Sequence, residues 1–214
     1  MIELAAQDLT QCLDGDCLDI TKLKNFSADR IDNMLRYWFG LRGVRMPSTS
    51  WLNEMRTQLL EAKHDAQLCV THADCHIRRH RDRVFITPKL DPETLEQPPV
   101  VFEWKGEAAI HFVEFSGTLF FENAEQGIAA DWLRSQPLSL QLRSGGERLK
   151  PAWNRPTKSL KYHYQACDVP AWERERLPLV FPGKQILFAP GIGIDCHQLS
   201  SEVGPHIQFR WQFD

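Results

Sequence analysis

Ser144-Gly145-Gly146 lies inside "LRSGGERLKPAWNRPTKSLK" (142–161), beside Arg143, Arg148, Lys150, Arg155, Lys158 and Lys161. Two chemistries use such residues. A phosphate-cradling loop aims successive backbone N–H groups at an anion, between a strand and the start of a helix. A surface that grips a large polyanion spaces lysines and arginines so that each neutralises a phosphate. The loop reading fails at the residues beyond the turn. Leu149-Lys150-Pro151-Ala152-Trp153 does not open an apolar-periodic helix, and no Gly-Lys-Ser or Gly-Lys-Thr is present. An ATP loop of the form Ser-Gly-Gly-x-Asp-Ser would need Asp and Ser where Arg148 and Leu149 stand. A Gly-Gly turn between two strands is the plain reading. The cations fit the second chemistry, with a solvated charged face as the alternative.

Other reactive patterns are weaker. Cys69, His72, Cys75 and His76 supply four possible zinc ligands, but they lack paired spacing, and adjacent strand residues point to opposite faces. Cys12 and Cys17 sit in an acidic stretch and read as free thiols. No Gly-x-Ser-x-Gly and no Cys/His/Asn set points to nucleophilic catalysis.

The elements that must position the cations read as an α+β chain. Residues 27–64 carry helical periodicity: Ser27 is a candidate N-cap for Ile31, Met34, Leu35 and Trp38. Gly40 and Gly43 end that helix. Ser48 or Thr49 caps a second, with Trp51, Leu52, Met55, Leu59 and Leu60 inward, giving a helical hairpin. "CHIRRHRDRVFITP" (75–88) predicts a β-hairpin turning near Arg81-Asp82. The Pro-rich "PKLDPETLEQPPV" is the candidate linker, which predicts a small helical domain with a basic hairpin at 1–90 and a mostly β domain at 98–214. In the second half "VVFEW", "AIHFVEF", "GTLFFE", "LSLQLRS", "QILFA" and "HIQFRW" read as strands. One inserted basic helix interrupts them. Thr157 is its predicted cap, Leu160, Tyr164 and Cys167 share a face, and Val169-Pro170 stops it. On that helix Lys158 and Lys161 would lie three apart on the outer face, where N-terminal amides add positive potential.

The 214 residues are 43% hydrophobic, enough for buried cores, and no apolar run approaches a membrane span. Met1 is followed by Glu3 and Asp8 rather than a basic stretch and an apolar core. No export signal, reduced thiols and a cytoplasmic location are therefore expected. The net charge of −3 hides segregation. Residues 1–34 hold seven acids against three bases and 91–131 nine acids against Lys105 alone; 143–184 hold nine bases against four acids. A segregated field can hold a polyanion locally.

"KSLKYHYQACDVPAWERERLPLVFPGKQILFAPGIGID" (158–195) resembles the C-terminal region of the bacterial tRNA(Ile)-lysidine synthetases. Lys158, Leu160, Lys161, Gln165, Val169, Pro170, Trp172, Arg174 and Pro178 carry the likeness. "LRYWFGLRGVRMPS" (35–48) is similar to that family's first C-terminal helical domain and "IRRHRDRVF" (77–85) to its basic strand. Tyr162 and Asp168 depart from it, standing where the family often has lysine and glycine. The resemblance implies the tRNA-docking part of a ligase that joins lysine to an anticodon cytidine, with contacts at the anticodon side and the acceptor stem of tRNA. Chemistry, ATP and magnesium would belong to a preceding catalytic half; this chain would carry no cofactor and no catalytic residue, and a homodimer is possible. It further implies phosphate contacts for Lys158 and Lys161, with Arg148, Arg155 and Arg174 as neighbours. Arg36, with Arg42 and Arg45, fits either RNA contact or a surface ion pair. Arg79, Arg81 and Arg83 would form one face of the hairpin if no bulge intervenes, as an RNA stripe or as ordinary edge-strand charges. Trp172 is expected to pack rather than stack. The alternative function is an interaction or regulatory module that kept the fold without RNA binding.

Overall fold

The computed structural model describes residues 2–63, 68–89, 97–201 and 203–214. The chain divides into two units, Met1–Lys89 and Leu90–Asp214. Residues 90–96 of the expected linker lie outside the described residues. The fold is α+β, and every strand pairing among the described residues is antiparallel.

The first unit runs α1 (Ile2–Cys12), β1 (Leu13–Asp14), β2 (Cys17–Asp19), α2 (Ile20–Leu23), α3 (Ala28–Leu41), α4 (Thr49–Glu61), β3 (Cys69–Thr71), β4 (Cys75–His80) and β5 (Arg83–Pro88). The predicted helical hairpin is α3 and α4. Ser27 and Ser48 are the caps, and the Ser48 hydroxyl accepts the Trp51 N–H at 3.2 Å. Their apolar faces, with Leu9 and Cys12 of α1, enclose Trp38, Phe39, Leu52 and Met55. Burying each such side chain contributes about 1.5–3 kcal/mol. The sheet order is β1-β2-β5-β4-β3. In β4 the alternation is strict: Cys75, Ile77 and Arg79 face inward.

The second unit runs β6 (Val100–Phe102), β7 (Ala109–Phe112), β8 (Gly117–Ala124), β9 (Ile128–Ala129), α5 (Ala130–Arg134), β10 (Leu138–Gln141), β11 (Arg148–Leu149), β12 (Lys158–Ser159), α6 (Leu160–Ala166), α7 (Ala171–Arg174), β13 (Leu179–Phe181), β14 (Phe188–Ala189), β15 (Gly193–Ile194) and β16 (His206–Phe213). Its larger sheets are ordered β15-β14-β13-β10-β6 and β7-β8-β16-β9. Phe121, Phe188, Phe209 and Leu140 are among their shared core. A second core, built on Leu149, Leu160, Tyr164, Leu179 and Phe181, supports the β11/β12 hairpin and α6.

One expectation about the basic helix needs correcting. Its cap is Ser159, whose hydroxyl accepts the Tyr162 N–H at 3.3 Å, and not Thr157. Lys158 belongs to β12, where it pairs in register with Leu149. The helix ends as a Schellman motif. Val169 N–H donates to Tyr164 O at 2.9 Å and Asp168 N–H to Gln165 O at 3.2 Å, and Asp168 takes φ +58°.

Candidate nucleic-acid interface

The cations between 143 and 161 stand on a turn, a two-stranded hairpin and the first turn of α6. Gly145 and Gly146, at φ +98° and +87°, turn the chain ahead of β11. The backbone amides exposed by this turn are already used. Glu147 Oε1 accepts Ser144 N–H at 2.6 Å, Gly145 N–H at 2.8 Å and the Ser144 hydroxyl at 3.2 Å. Burial raises the Glu147 carboxyl, but these donors and its own amide outweigh burial and hold it below the ordinary glutamate range. The Ser144 and Gly145 amides hold the chain's own carboxylate, so these residues do not fit ATP.

Arg148 donates to Thr157 O at 3.0 Å across the hairpin and stays exposed. Arg155 lies in the loop between β11 and β12, Lys158 on β12 and Lys161 in the first turn of α6, all exposed. Among the described residues no carboxylate forms a salt bridge with Arg143, Arg148, Lys150, Arg155, Lys158 or Lys161. Elsewhere in the unit Arg134 pairs with Asp131 at 3.0 Å and Arg210 with Glu122 at 2.7 Å. Beside the hairpin a cleft of about 610 Å³ is lined by Arg148, Lys184, Gln185, His197 and Asp195 among others. Lys184 and His197 escaped the sequence reading because they join Arg148 only through the fold.

Asp195 organises one side of this cleft. It is buried, and its carboxylate accepts Lys150 N–H at 2.9 Å, His197 N–H at 3.0 Å and His197 Nδ1–H at 2.8 Å. Asp195, Cys196 and His197 are also the described residues whose ligand-capable atoms fall within 4.8 Å of one another. With both Asp195 oxygens engaged by N–H donors, the arrangement is a clamp on the chain. Cys69, His72, Cys75 and His76 form no such set among the described residues; His72 is buried against the rings of Phe39 and Trp51.

The other named arginines do different work. Arg79 is 3% exposed, and its guanidinium donates to Leu59 O, Ala62 O and Arg81 O at 2.8, 2.6 and 2.7 Å. It closes the last turn of α4 and is not on an exposed RNA stripe. Arg81 sits in the hairpin turn at φ +53°, so the alternation linking 79, 81 and 83 is broken. Arg83 pairs with Asp14 at 2.9 Å. Arg36 bonds Pro47 O and Thr49 Oγ1 and ties α3 to the start of α4. Arg42 pairs with Asp16 and Arg45 with Asp74. Arg174 is half-buried and donates to Val169 O at 2.6 Å; burial first, then Arg143, lowers its pKa. Trp172 packs in the interior, as expected.

Residues 138–211 match the family model described as the TilS substrate C-terminal domain, and residues 18–85 match the TilS substrate binding domain. The chain belongs to the tRNA(Ile)-lysidine synthase family. A tRNA(Ile)-lysidine synthase of Ralstonia nicotianae is 32% identical over 96% of this chain and 46% of its own length. One from Nitrosomonas europaea is 31% identical over 98% and 45%. The chain thus spans about half the length of the curated relatives it matches. A solved structure titled "Crystal structure of TILS C-terminal domain" aligns with 54% of this chain and 98% of its own at 22% identity and a TM-score of 0.42. No helix among the described residues is long and apolar enough to cross a membrane.

Proposed function

We propose that this chain is the tRNA-docking part of a tRNA(Ile)-lysidine synthase, and that the second unit grips the RNA backbone with Arg148, Arg155, Lys158 and Lys161. The observation that carries the reading is that these exposed cations have no carboxylate partner among the described residues, while Arg134 and Arg210, elsewhere in the same unit, do. An unpaired surface cation keeps its field and its counterions. Phosphates that replace those counterions gain affinity that falls with salt. Backbone contacts of this kind hold a folded RNA by shape and leave base identity to other groups. Arg36 and Arg79 are assigned to holding the helical unit together, and Arg174 to closing the end of α6. The Ser144-Gly145-Gly146 turn is filled by Glu147 and is not assigned to ATP.

A filter-binding titration of the 214-residue chain against tRNA at low and moderate salt tests the reading. Lys158→Ala with Lys161→Ala should weaken binding about tenfold at low salt and less at higher salt. Binding without salt dependence, or none near micromolar protein, would overturn it and favour a module that interacts with protein instead.

A further inference from the structure

Among the described residues two aromatic side chains stand largely in solvent, Trp153 at 66% and Tyr162 at 53% exposure. Both fall within the basic stretch, one in the β11–β12 loop and one in the first turn of α6. Each has the same surroundings. Lys150 Nζ lies 5.4 Å from the Trp153 ring centre, and the His197 ring meets Trp153 edge-on at 5.2 Å and 82°. Lys158 Nζ lies 5.5 Å from the Tyr162 ring centre, and the His163 ring meets Tyr162 edge-on at 5.8 Å and 80°.

The histidines are braced from within. Asp195 holds His197 Nδ1, and His163 Nε2 lies 2.9 Å from Leu149 O. Asp195 also fixes the Lys150 backbone, and Cys196 N–H donates to Lys150 O at 2.8 Å, so both flanks of Trp153 are tied to one buried carboxylate. The rings are thus propped by hydrogen-bonded neighbours while most of their surface stays exposed. The exposed residues of the same stretch include Asn154, Arg155, Thr157, Lys161 and Gln165, with Pro156, Ala166 and Cys167 among them.

We propose that Trp153 and Tyr162 are stacking platforms for unpaired RNA nucleotides, with Lys150 and Lys158 taking the adjoining phosphates. A base offers an aromatic face only where it is unpaired or at a strand end. The ring-plus-cation unit matches one nucleotide: the ring takes the base and the ammonium takes its phosphate. A continuous duplex would use the cations and leave the rings idle. The proposal rests on the RNA-docking reading and adds to it a preference for single-stranded segments.

The test uses two RNA hairpins with the same stem, one blunt and one with a short single-stranded 3′ tail, titrated against the whole chain. The tailed hairpin should bind about tenfold more tightly. Trp153→Ala with Tyr162→Ala should abolish that preference and leave blunt-hairpin affinity and its salt slope unchanged, while Trp153→Phe with Tyr162→Phe keeps most of it. Equal, salt-dependent binding of both hairpins, or an alanine variant that keeps the preference, would overturn the platforms and leave backbone docking standing. Binding to neither hairpin would overturn both. Self-association in sedimentation that the alanine variant removes, with RNA affinity unchanged, would assign the rings to a protein contact and overturn the proposal.

Discussion

In the unit Met1–Lys89, Arg30, Arg42, Arg45, Arg56 and Arg83 each meet an aspartate, and Arg36 and Arg79 meet backbone carbonyls. Between 143 and 161 of the other unit six cations meet no carboxylate among the described residues. Exposed ion pairs add little stability, about 0–1 kcal/mol each, so the unpaired set costs the fold little. The difference lies in the field: those arginines of the first unit have their charge cancelled locally, and the cations of the 143–161 stretch do not. Arginine count alone would make the 77–85 hairpin the more basic-looking surface, and the structure reverses that ranking.

The comparison breaks first at Arg79. Arg79→Ala strips three carbonyls of a buried charged donor, and chemical denaturation should show a loss of about 3 kcal/mol in the first unit. RNA affinity measured on the folded fraction should not change. A drop in RNA affinity without a stability loss would return Arg79 to the interface. Next comes Asp195. Asp195→Ala leaves three N–H donors without their acceptor and should cost the second unit about 2 kcal/mol, read from its own unfolding transition. It should also weaken single-stranded RNA binding by loosening both flanks of Trp153.

Smaller effects sharpen the contrast. Asp168 holds a left-handed backbone that suits glycine, but its carboxylate also attracts Arg174, so Asp168→Gly should change stability by less than about 1 kcal/mol in thermal unfolding. Smallest is a pH effect in the first unit. The Arg45 side chain and then its backbone amide hold the Asp74 carboxyl down to about 2, from an ordinary 3.8. A carboxyl depressed on folding contributes stability that is complete above the ordinary value and is lost as pH falls through the folded one. Arg45→Ala should therefore flatten the stability profile between pH 3.8 and about 2.

Much of the fold was legible. The caps Ser27 and Ser48, the 28–61 periodicity and the hairpin at 75–88 follow from side-chain spacing alone. Helix α1 was missed, although Ala5, Leu9 and Cys12 recur at helical spacing, because polar residues dilute the pattern. Thr157 and Ser159 compete as caps for one helix, and only the pairing of β12 with β11 selects Ser159. Arg79 was misread for a physical reason. Grouping it with Arg81 and Arg83 assumed alternation through the turn, yet it already shares a face with Cys75 and Ile77. The cations of the candidate interface were legible as a set. Lys184, His197 and the buried clamp at Asp195 were not, since sheet topology brings distant residues to the hairpin.

The most direct test is the slope of log affinity for tRNA against log salt in two sets of variants. Replacing Arg148, Arg155, Lys158 and Lys161 by alanine should lower the slope by about three and low-salt affinity about a hundredfold. Replacing Arg42 and Arg45 in the first unit should leave both unchanged. Equal losses from the two sets, or a slope indifferent to the first, would contradict the claim that the unpaired cations of the second unit hold the RNA.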